Sequence, residues 1–188
     1  NQHAWGQDTA TPHFPYAAVR FRANCKGVAV ADAHSLAPKS QLPGGRRYPF
    51  YIEGQQNLVK NAFAKSSRHD FVMGALAAGP NVFVDCWAQS SSNDTGPHHR
   101  WSVGTLYDNV TIPSNQINIR NRWNMGTGHG WAGANTVVWN SKASSFIVQN
   151  PPTAQNWLIG SSGSAFGRPP MRAPAPAASS TAPTDMRL

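Results

Sequence analysis

Acidic side chains are scarce in this chain: eight Asp and Glu stand against sixteen Lys and Arg among 188 residues. That scarcity bears on two classes of chemistry. A glycoside hydrolase needs two carboxyl groups roughly 5 to 10 Å apart across the scissile bond. Asp8, Asp32 and Asp185 lie outside the repetitive part of the sequence, and Glu53, Asp70, Asp85, Asp94 and Asp108 are dispersed singly along it. A calcium site built from several carboxylates is equally short of ligands. Asp85 and Asp108 are the one pair that could share an ion, so Ca²⁺ is the only cofactor the sequence allows for, and otherwise none is expected. No apolar run approaches the length of a membrane span. No window combines a helical period with caps at both ends. Only two cysteines occur, Cys25 and Cys86. A buried free thiol is the default for Cys86, which sits in an apolar run, and a bridge to Cys25 cannot be argued from spacing.

What is abundant is turn chemistry and basic charge. Sixteen Gly and fifteen Pro, with many Asn, fit a chain of short strands and tight turns. The formal charge of +8 points to an anionic partner. The basic residues are scattered singly or as pairs such as Arg46-Arg47, with no Lys-rich tract or basic helix face, which argues against nucleic acid.

One pattern recurs at equal spacing: His69-Asp70-Phe71, His99-Arg100-Trp101 and His129-Gly130-Trp131, each thirty residues from the next. A fixed period of this size marks a chain that stacks one unit on another. Aromatic residues followed closely by glycine recur in Tyr51-Ile52-Glu53-Gly54, Phe71-Val72-Met73-Gly74, Trp101-Ser102-Val103-Gly104 and Trp157-Leu158-Ile159-Gly160. Between them stand β-rich runs at residues 57–59, 81–84, 116–119 and 135–138. The fold expected is all-β, a right-handed parallel β-helix of few coils. Its organisation is residues 1–47 as an irregular capping region with a first coil, including strands near 18–22 and 27–31. Residues 48–166 form the repeats, and residues 167–188 a Pro/Ala/Ser-rich tail without burial capacity. Equivalent side chains should line up on rungs about 4.8 Å apart.

Several stretches carry a resemblance: Tyr48-Pro49-Phe50-Tyr51-Ile52-Glu53-Gly54, Ser67-Arg68-His69-Asp70-Phe71-Val72 and Gly96-Pro97-His98-His99-Arg100-Trp101. The others are Gly104-Thr105-Leu106-Tyr107-Asp108-Asn109, Gly126-Thr127-Gly128-His129-Gly130-Trp131-Ala132-Gly133-Ala134-Asn135 and Asn150-Pro151-Pro152-Thr153-Ala154-Gln155-Asn156-Trp157. Over about residues 48–163 the chain resembles secreted bacterial and fungal proteins of the pectate-lyase-like, right-handed β-helix superfamily. The resemblance implies the fold, export from the cell, and a superfamily of polysaccharide lyases, hydrolases and carbohydrate-binding spikes. Fold analogy does not itself assign a reaction.

The chemistry must come from the side chains. β-Elimination next to a uronic acid needs a base for the C5 proton, positive charge on the carboxylate, and a proton for the departing O4. Imidazole titrates in the right range, and guanidinium grips a carboxylate in two places. His99 or His69 is the expected base, with Arg100 and Arg68 holding carboxylates. His98, Trp101, His129, Trp131 and Asp70 are expected to contact the sugar. No metal ligand set is expected. A zinc site from His69, His99 and His129 fails on distance, because ligands about 2 Å from an ion cannot span two rungs, about 9.6 Å. A structural alternative has the same weight. In a strand, residues i and i+2 share a face, so if Phe71, Trp101 and Trp131 fill the core, their histidines turn inward with them. Asp70 and Arg100 would then be outward neighbours on adjacent rungs. Glu53 and Met73 are read as equivalent positions, and Gly126 to Gly133 as a turn closely approached by a ligand or the next coil. The partner expected is an acidic polysaccharide, with no nucleic acid and no membrane insertion. The competing functions are a non-catalytic carbohydrate-binding or adhesive β-helix, and a structural unit of an extracellular assembly.

Overall fold

A computed structural model describes residues 2–4 and 17–166, the side chains of 2–4 and 166 excepted. The tail at 167–188, and the irregular segment with Trp5 and His13, lie outside the described residues.

All regular structure among the described residues is strand, and every strand ladder is parallel. The chain visits three sheets in a constant order. One sheet contains Val19–Phe21, Phe50–Ile52, Phe71–Met73 and Gly96–Pro97. A second contains Ala29–Ala31, Leu58–Lys60, Asn81–Val84, Thr105–Asp108, Val137–Trp139 and Trp157–Ile159. The third contains Gln2–Ala4, Ala33–Ser35, Phe63–Lys65, Trp87–Gln89, Thr111–Ile119, Lys142–Val148 and Ser162–Phe166. This is compatible with a parallel β-solenoid. The strands at 19–21, 29–31 and 33–35 pair with the next pass in all three sheets, so the first coil begins well before residue 48.

The corner between the second and third sheets explains how the sequence specifies the stacking. Asp32, Asn61, Asp85, Asn109, Asn140 and Gly160 all have positive φ, between 45° and 62°. Gly visits this region without a Cβ clash, and Asn and Asp tolerate it best among the other residues. Along this corner backbone N–H groups reach to the next coil, as in Asn61 to Val84 O and Asn109 to Trp139 O. Asn109 Nδ2 also donates to Asp85 Oδ1 at 2.8 Å. The coils measured corner to corner are 29, 24, 24, 31 and 20 residues long (differences between those six positions). The thirty-residue period is therefore not the coil length. Phe71 pairs with Phe50, and Val72 with Gly96, while Ser102 pairs with Gly133 in a separate two-stranded sheet. The three His-x-aromatic triplets do not occupy equivalent rungs. Ile52, not Glu53, pairs with Met73. Trp157–Ile159 belongs to the second sheet, whereas Phe50–Ile52 and Phe71–Met73 lie in the first.

Inside the coils, apolar side chains stack rung on rung. Phe50 lies on Phe71 with ring centroids 5.6 Å apart, Phe71 meets Phe83 at 5.7 Å, and Phe83 stacks on Tyr107 at 5.2 Å. The wholly buried Tyr107 hydroxyl donates to Phe71 O. A polar ladder runs beside this core at the turn entering the second sheet. Asn81 Oδ1 accepts from Asn57 N, and its Nδ2 donates to Gly54 O and Ala78 O. Asn156 does the same for Thr136 N, Gly133 O and Gln149 O. These amides replace water for backbone groups that burial would otherwise strand. Cys25 and Cys86 are free; Cys86 is buried, donates to Val84 O, and burial pushes its thiol up to about 12.

Candidate functional site

The first sheet stops at Gly96–Pro97, and the site forms where it breaks off. Beyond Pro97 the chain leaves the extended conformation, and Arg100 and Trp101 have φ of 35° and 52°. His98 and His99 therefore do not alternate as strand neighbours would, and both line the same cavity. One coil later, residues 122–130 leave the ladder altogether. An antiparallel bridge between Asn121 and Trp131 closes the base of this excursion. Met125 N donates to Arg122 O, His129 N to Met125 O and Gly130 N to Trp123 O, making a compact loop. Its tip folds back so that His129 faces His98 across the cavity: the two Nε2 atoms are 3.3 Å apart. A Cβ on Gly126 (φ 55°) would meet His129 Cε1 at 2.2 Å, so a larger residue here would push the imidazole out of its place.

The cavity has a volume of about 680 Å³, and its walls include Arg20, Arg68, Tyr48, Tyr51, Glu53, His98, His99 and His129. Charge is unevenly distributed among them. Arg20 makes a two-pronged contact with Glu53, at 2.9 and 2.8 Å, and lies over the Tyr51 ring. Room for Glu53 and Tyr51 comes from Gly74 on the next rung, where a Cβ would lie 2.7 Å from both side chains. Arg68 sits over the Tyr48 ring, 5.9 Å from its centroid, and its guanidinium makes no hydrogen bond among the described residues. Tyr48 Oη and His98 Nε2 are 3.1 Å apart. Burial raises both tyrosine hydroxyls, Tyr51 beyond any working pH, so both remain protonated.

Burial also lowers the imidazoles, helped by the neighbouring cations: His98 to about 2, with His99 and His129 below their ordinary value. All three are neutral at pH 7. The Nδ1 atoms of His98, His99 and His129 are buried without a hydrogen-bond partner among the described residues.

Beneath the cavity floor is a second polar layer. His69 is 3 % exposed, with Nδ1 against Asp94 O, and burial lowers it to about 4. Arg122, 4 % exposed, pairs with the Asp94 carboxylate and donates to Pro97 O. Burial would raise Asp94, but the charges of Arg122 and His69, together with hydrogen bonds from Arg122 and Asn118, outweigh it and hold the carboxyl low. Asp70 is wholly buried and accepts from Thr95 Oγ1 at 2.9 Å. Burial raises it to about 6.

Of the residues singled out from sequence, the structure brings Arg68, His98, His99 and His129 to the cavity. His69 lies beneath it, packed against His98 with ring centroids 4.5 Å apart. Asp70 is sealed from any polymer, and its backbone neighbour on the next rung is Asp94 rather than Arg100, because the register there is 24 residues. Arg100 turns away from the cavity and holds the excursion, donating to Gly128 O, Thr127 O and Thr127 Oγ1. Trp101 and Trp131 are half-buried and do not line the cavity; the exposed ring of this region is Trp123, in the excursion. Arg20, Asp94 and Arg122 carry no spacing signal of their own. Tyr51 and Glu53 belong to one of the recurring aromatic–glycine units and, with Tyr48, to the Tyr48 to Gly54 stretch that contributes to the family resemblance, but neither pattern marked them as site residues. Asp85 is bonded to Asn109, and the single group of three metal-ligating side chains among the described residues is His98, His99 and His129.

No protein-family model matches the chain, and comparison with the curated proteins and with the solved structures returned no match.

Proposed function

We propose that this is a secreted, carbohydrate-active protein with a right-handed parallel β-helix of the pectate-lyase-like kind, which cleaves a uronic-acid-containing polysaccharide by β-elimination. The observation that carries the proposal is the cavity's charge. Its one acidic wall residue, Glu53, is neutralised by Arg20, while Arg68 has no hydrogen-bonded partner among the described residues and stands beside neutral imidazoles. Such a pocket favours a carboxylate, and guanidinium binds one through two parallel hydrogen bonds. Tyr48 and Tyr51 are buried with Arg68 and Arg20 over their rings, so they back the two guanidiniums in the cavity wall rather than offering a face to a sugar.

Each group then has a role. Arg68 holds the uronate carboxylate and stabilises the charge that builds on it as the C5–H bond breaks. His99, half-buried and neutral at working pH, takes the C5 proton. Electrons of that bond form the C4=C5 double bond, and the C4–O4 bond breaks. The phenol of Tyr48, kept protonated by burial, gives its proton to O4 and is restored through His98. Hydrolysis by paired carboxyl groups is disfavoured because the cavity wall carries one carboxylate, and that one is engaged.

The test is incubation with a panel of uronic-acid polymers, following ultraviolet absorbance of the unsaturated product. His99→Ala should abolish product while retaining binding. Arg68→Ala should weaken polymer binding by about 10- to 100-fold, the worth of one charge-assisted contact. Polymer binding without product would leave the non-catalytic carbohydrate-binding alternative; neither binding nor product would end the proposal.

A further inference from the structure

We infer that His98, His99 and His129 form a three-imidazole site for a divalent transition-metal ion of the zinc class, open to the cavity at its fourth position. Sequence spacing hides this set. His98 and His99 are consecutive, and only the left-handed turn at Arg100 and Trp101 allows both rings to line one wall. His129 comes from the excursion one coil later.

The distances fit. One ring nitrogen from each histidine lies within 4.8 Å of the other two. Four ligands about 2.0 to 2.1 Å from a tetrahedral ion are about 3.3 to 3.4 Å from one another. His98 Nε2 and His129 Nε2 already stand 3.3 Å apart. His99 is half-exposed, and movement of at most about 1.5 Å closes the widest separation the set allows to that value. The donor set selects the metal: imidazoles suit zinc, copper, nickel and iron, whereas calcium and magnesium require oxygen. Each neutral ring has one lone pair, and the buried Nδ1 of each has no partner among the described residues; His98 Nε2 faces Tyr48 Oη, a contact that an ion bound at Nε2 would replace. Three protein ligands with an open fourth position is the arrangement of catalytic rather than structural zinc.

The cations nearby set a condition on binding. A dication beside Arg68 is repelled unless an anion joins it, so the metal and a uronate carboxylate should bind cooperatively. The inference deepens the proposed elimination, rests on that reading for its anion, and changes two roles in it. A ligating His99 cannot take the C5 proton and a ligating His98 cannot return one to Tyr48; a metal held by the three imidazoles would instead lower the pKa of a water at its open position, which would then supply the base.

The experiment uses the full chain, freed of metal with a chelator and titrated with Zn²⁺ alone in competition with a chromophoric chelator. Co²⁺ serves as a spectroscopic reporter of four-coordination. One Zn²⁺ per chain is expected, with a rise in unfolding temperature. His129→Ala, on the exposed side of the set, and His99→Ala should each weaken binding at least about 100-fold, the upper range for losing even an outer partner of a ligand. His34→Ala, on a different sheet, and a His3→Ala/His13→Ala variant should bind as the parent does. Absence of stoichiometric Zn²⁺ uptake, uptake indifferent to His99 and His129, or uptake lost with His3 and His13 would each overturn the site. The readout is binding, so a protein that takes up Zn²⁺ but cleaves no polymer refutes the elimination alone. A protein that cleaves equally well in excess chelator refutes the metal's part in it.

Discussion

Replacing Arg122 with methionine keeps the buried stem and deletes the guanidinium, which leaves a carboxylate stranded under the cavity floor. Arg122 is 4 % exposed, its charge is matched by Asp94, and its Nε–H is taken by Pro97 O. Without it, Asp94 remains in a low-dielectric layer facing a neutral His69. Breaking a buried pair by removing one member costs about 3 to 5 kcal/mol, because the survivor is left uncompensated. For a chain of this size each kcal/mol moves the midpoint about 2 to 4 °C, so the variant should melt roughly 10 °C below the parent at pH 7. The pH dependence separates this cause from lost packing. In the parent, the depressed Asp94 contributes stability above its unfolded pKa, and that contribution is lost as pH falls through the folded value. In Arg122→Met, burial instead raises Asp94, and protonation removes the uncompensated charge. The gap between the two proteins should therefore narrow as pH falls from 7 toward about 4. Urea unfolding followed by tryptophan fluorescence, on Arg122→Met, Asp94→Asn and the double variant, completes a thermodynamic cycle. The double variant should recover most of the loss, with a coupling above about 2 kcal/mol. A midpoint within about 2 °C of the parent at pH 7, or a gap that does not change with pH, would refute the reasoning.

The buried Asp70 should work in the opposite direction. Its folded pKa of about 6 lies above the unfolded value, so stability is highest below about pH 4 and falls as pH rises through 6, by about 3 kcal/mol in total. Asp70→Asn keeps the acceptor for Thr95 and should remove that fall; unfolding curves at pH 5 and 7.5 that shift equally for both proteins would contradict it. Gly126→Ala should cost about 1 to 2 kcal/mol from its left-handed backbone and displace His129, lowering Zn²⁺ affinity more than stability; unchanged affinity in the chelator competition would show the loop tip is not rigid. Asn81→Leu leaves Asn57 N–H, Gly54 O and Ala78 O without partners inside the stack and should destabilise by at least about 3 kcal/mol in urea, with cavity chemistry untouched wherever the protein is folded.

How much of the fold and the site was legible in the sequence depended on whether a signal was local. The strand at 81–84 could be read, and the run at 135–138 overlaps the strand at 137–139, because β-branched and aromatic residues declare themselves over a few positions. Register is different, being set by the corners. The positions that fix it, Asp32, Asn61, Asp85, Asn109, Asn140 and Gly160, form an Asx/Gly series whose unequal spacing conceals it. The equal spacing of His69, His99 and His129 pointed to a false period, because the corner-to-corner coils around them are 24 and 31 residues long. His99 and His129 nevertheless meet, through the excursion rather than the ladder. Asp70 could not be placed by alternation because residues 67–70 precede the strand, where the period of two does not apply. Arg122 and Asp94 gave no warning, since a buried pair 28 residues apart is visible only once the loop between them is folded.

A stack of identical coils presents flat ladders, and a flat ladder offers a ligand no enclosure. Concavity requires that a sheet be interrupted, and interruption leaves N–H and C=O groups without their rung partners. Here the first sheet ends at Pro97, and groups that a further rung would have satisfied are taken by side chains. Arg122 Nε–H meets Pro97 O, and Arg100 holds the carbonyls of Thr127 and Gly128. The arginines that repair the break also set its electrostatics, since their charges, added to burial, hold the imidazoles neutral. It follows that structural repair and site chemistry cannot be varied separately. A substitution at Arg100 that leaves the cavity wall intact should still change the protonation and metal affinity of His99 and His129, through a charge that never touches the ligand.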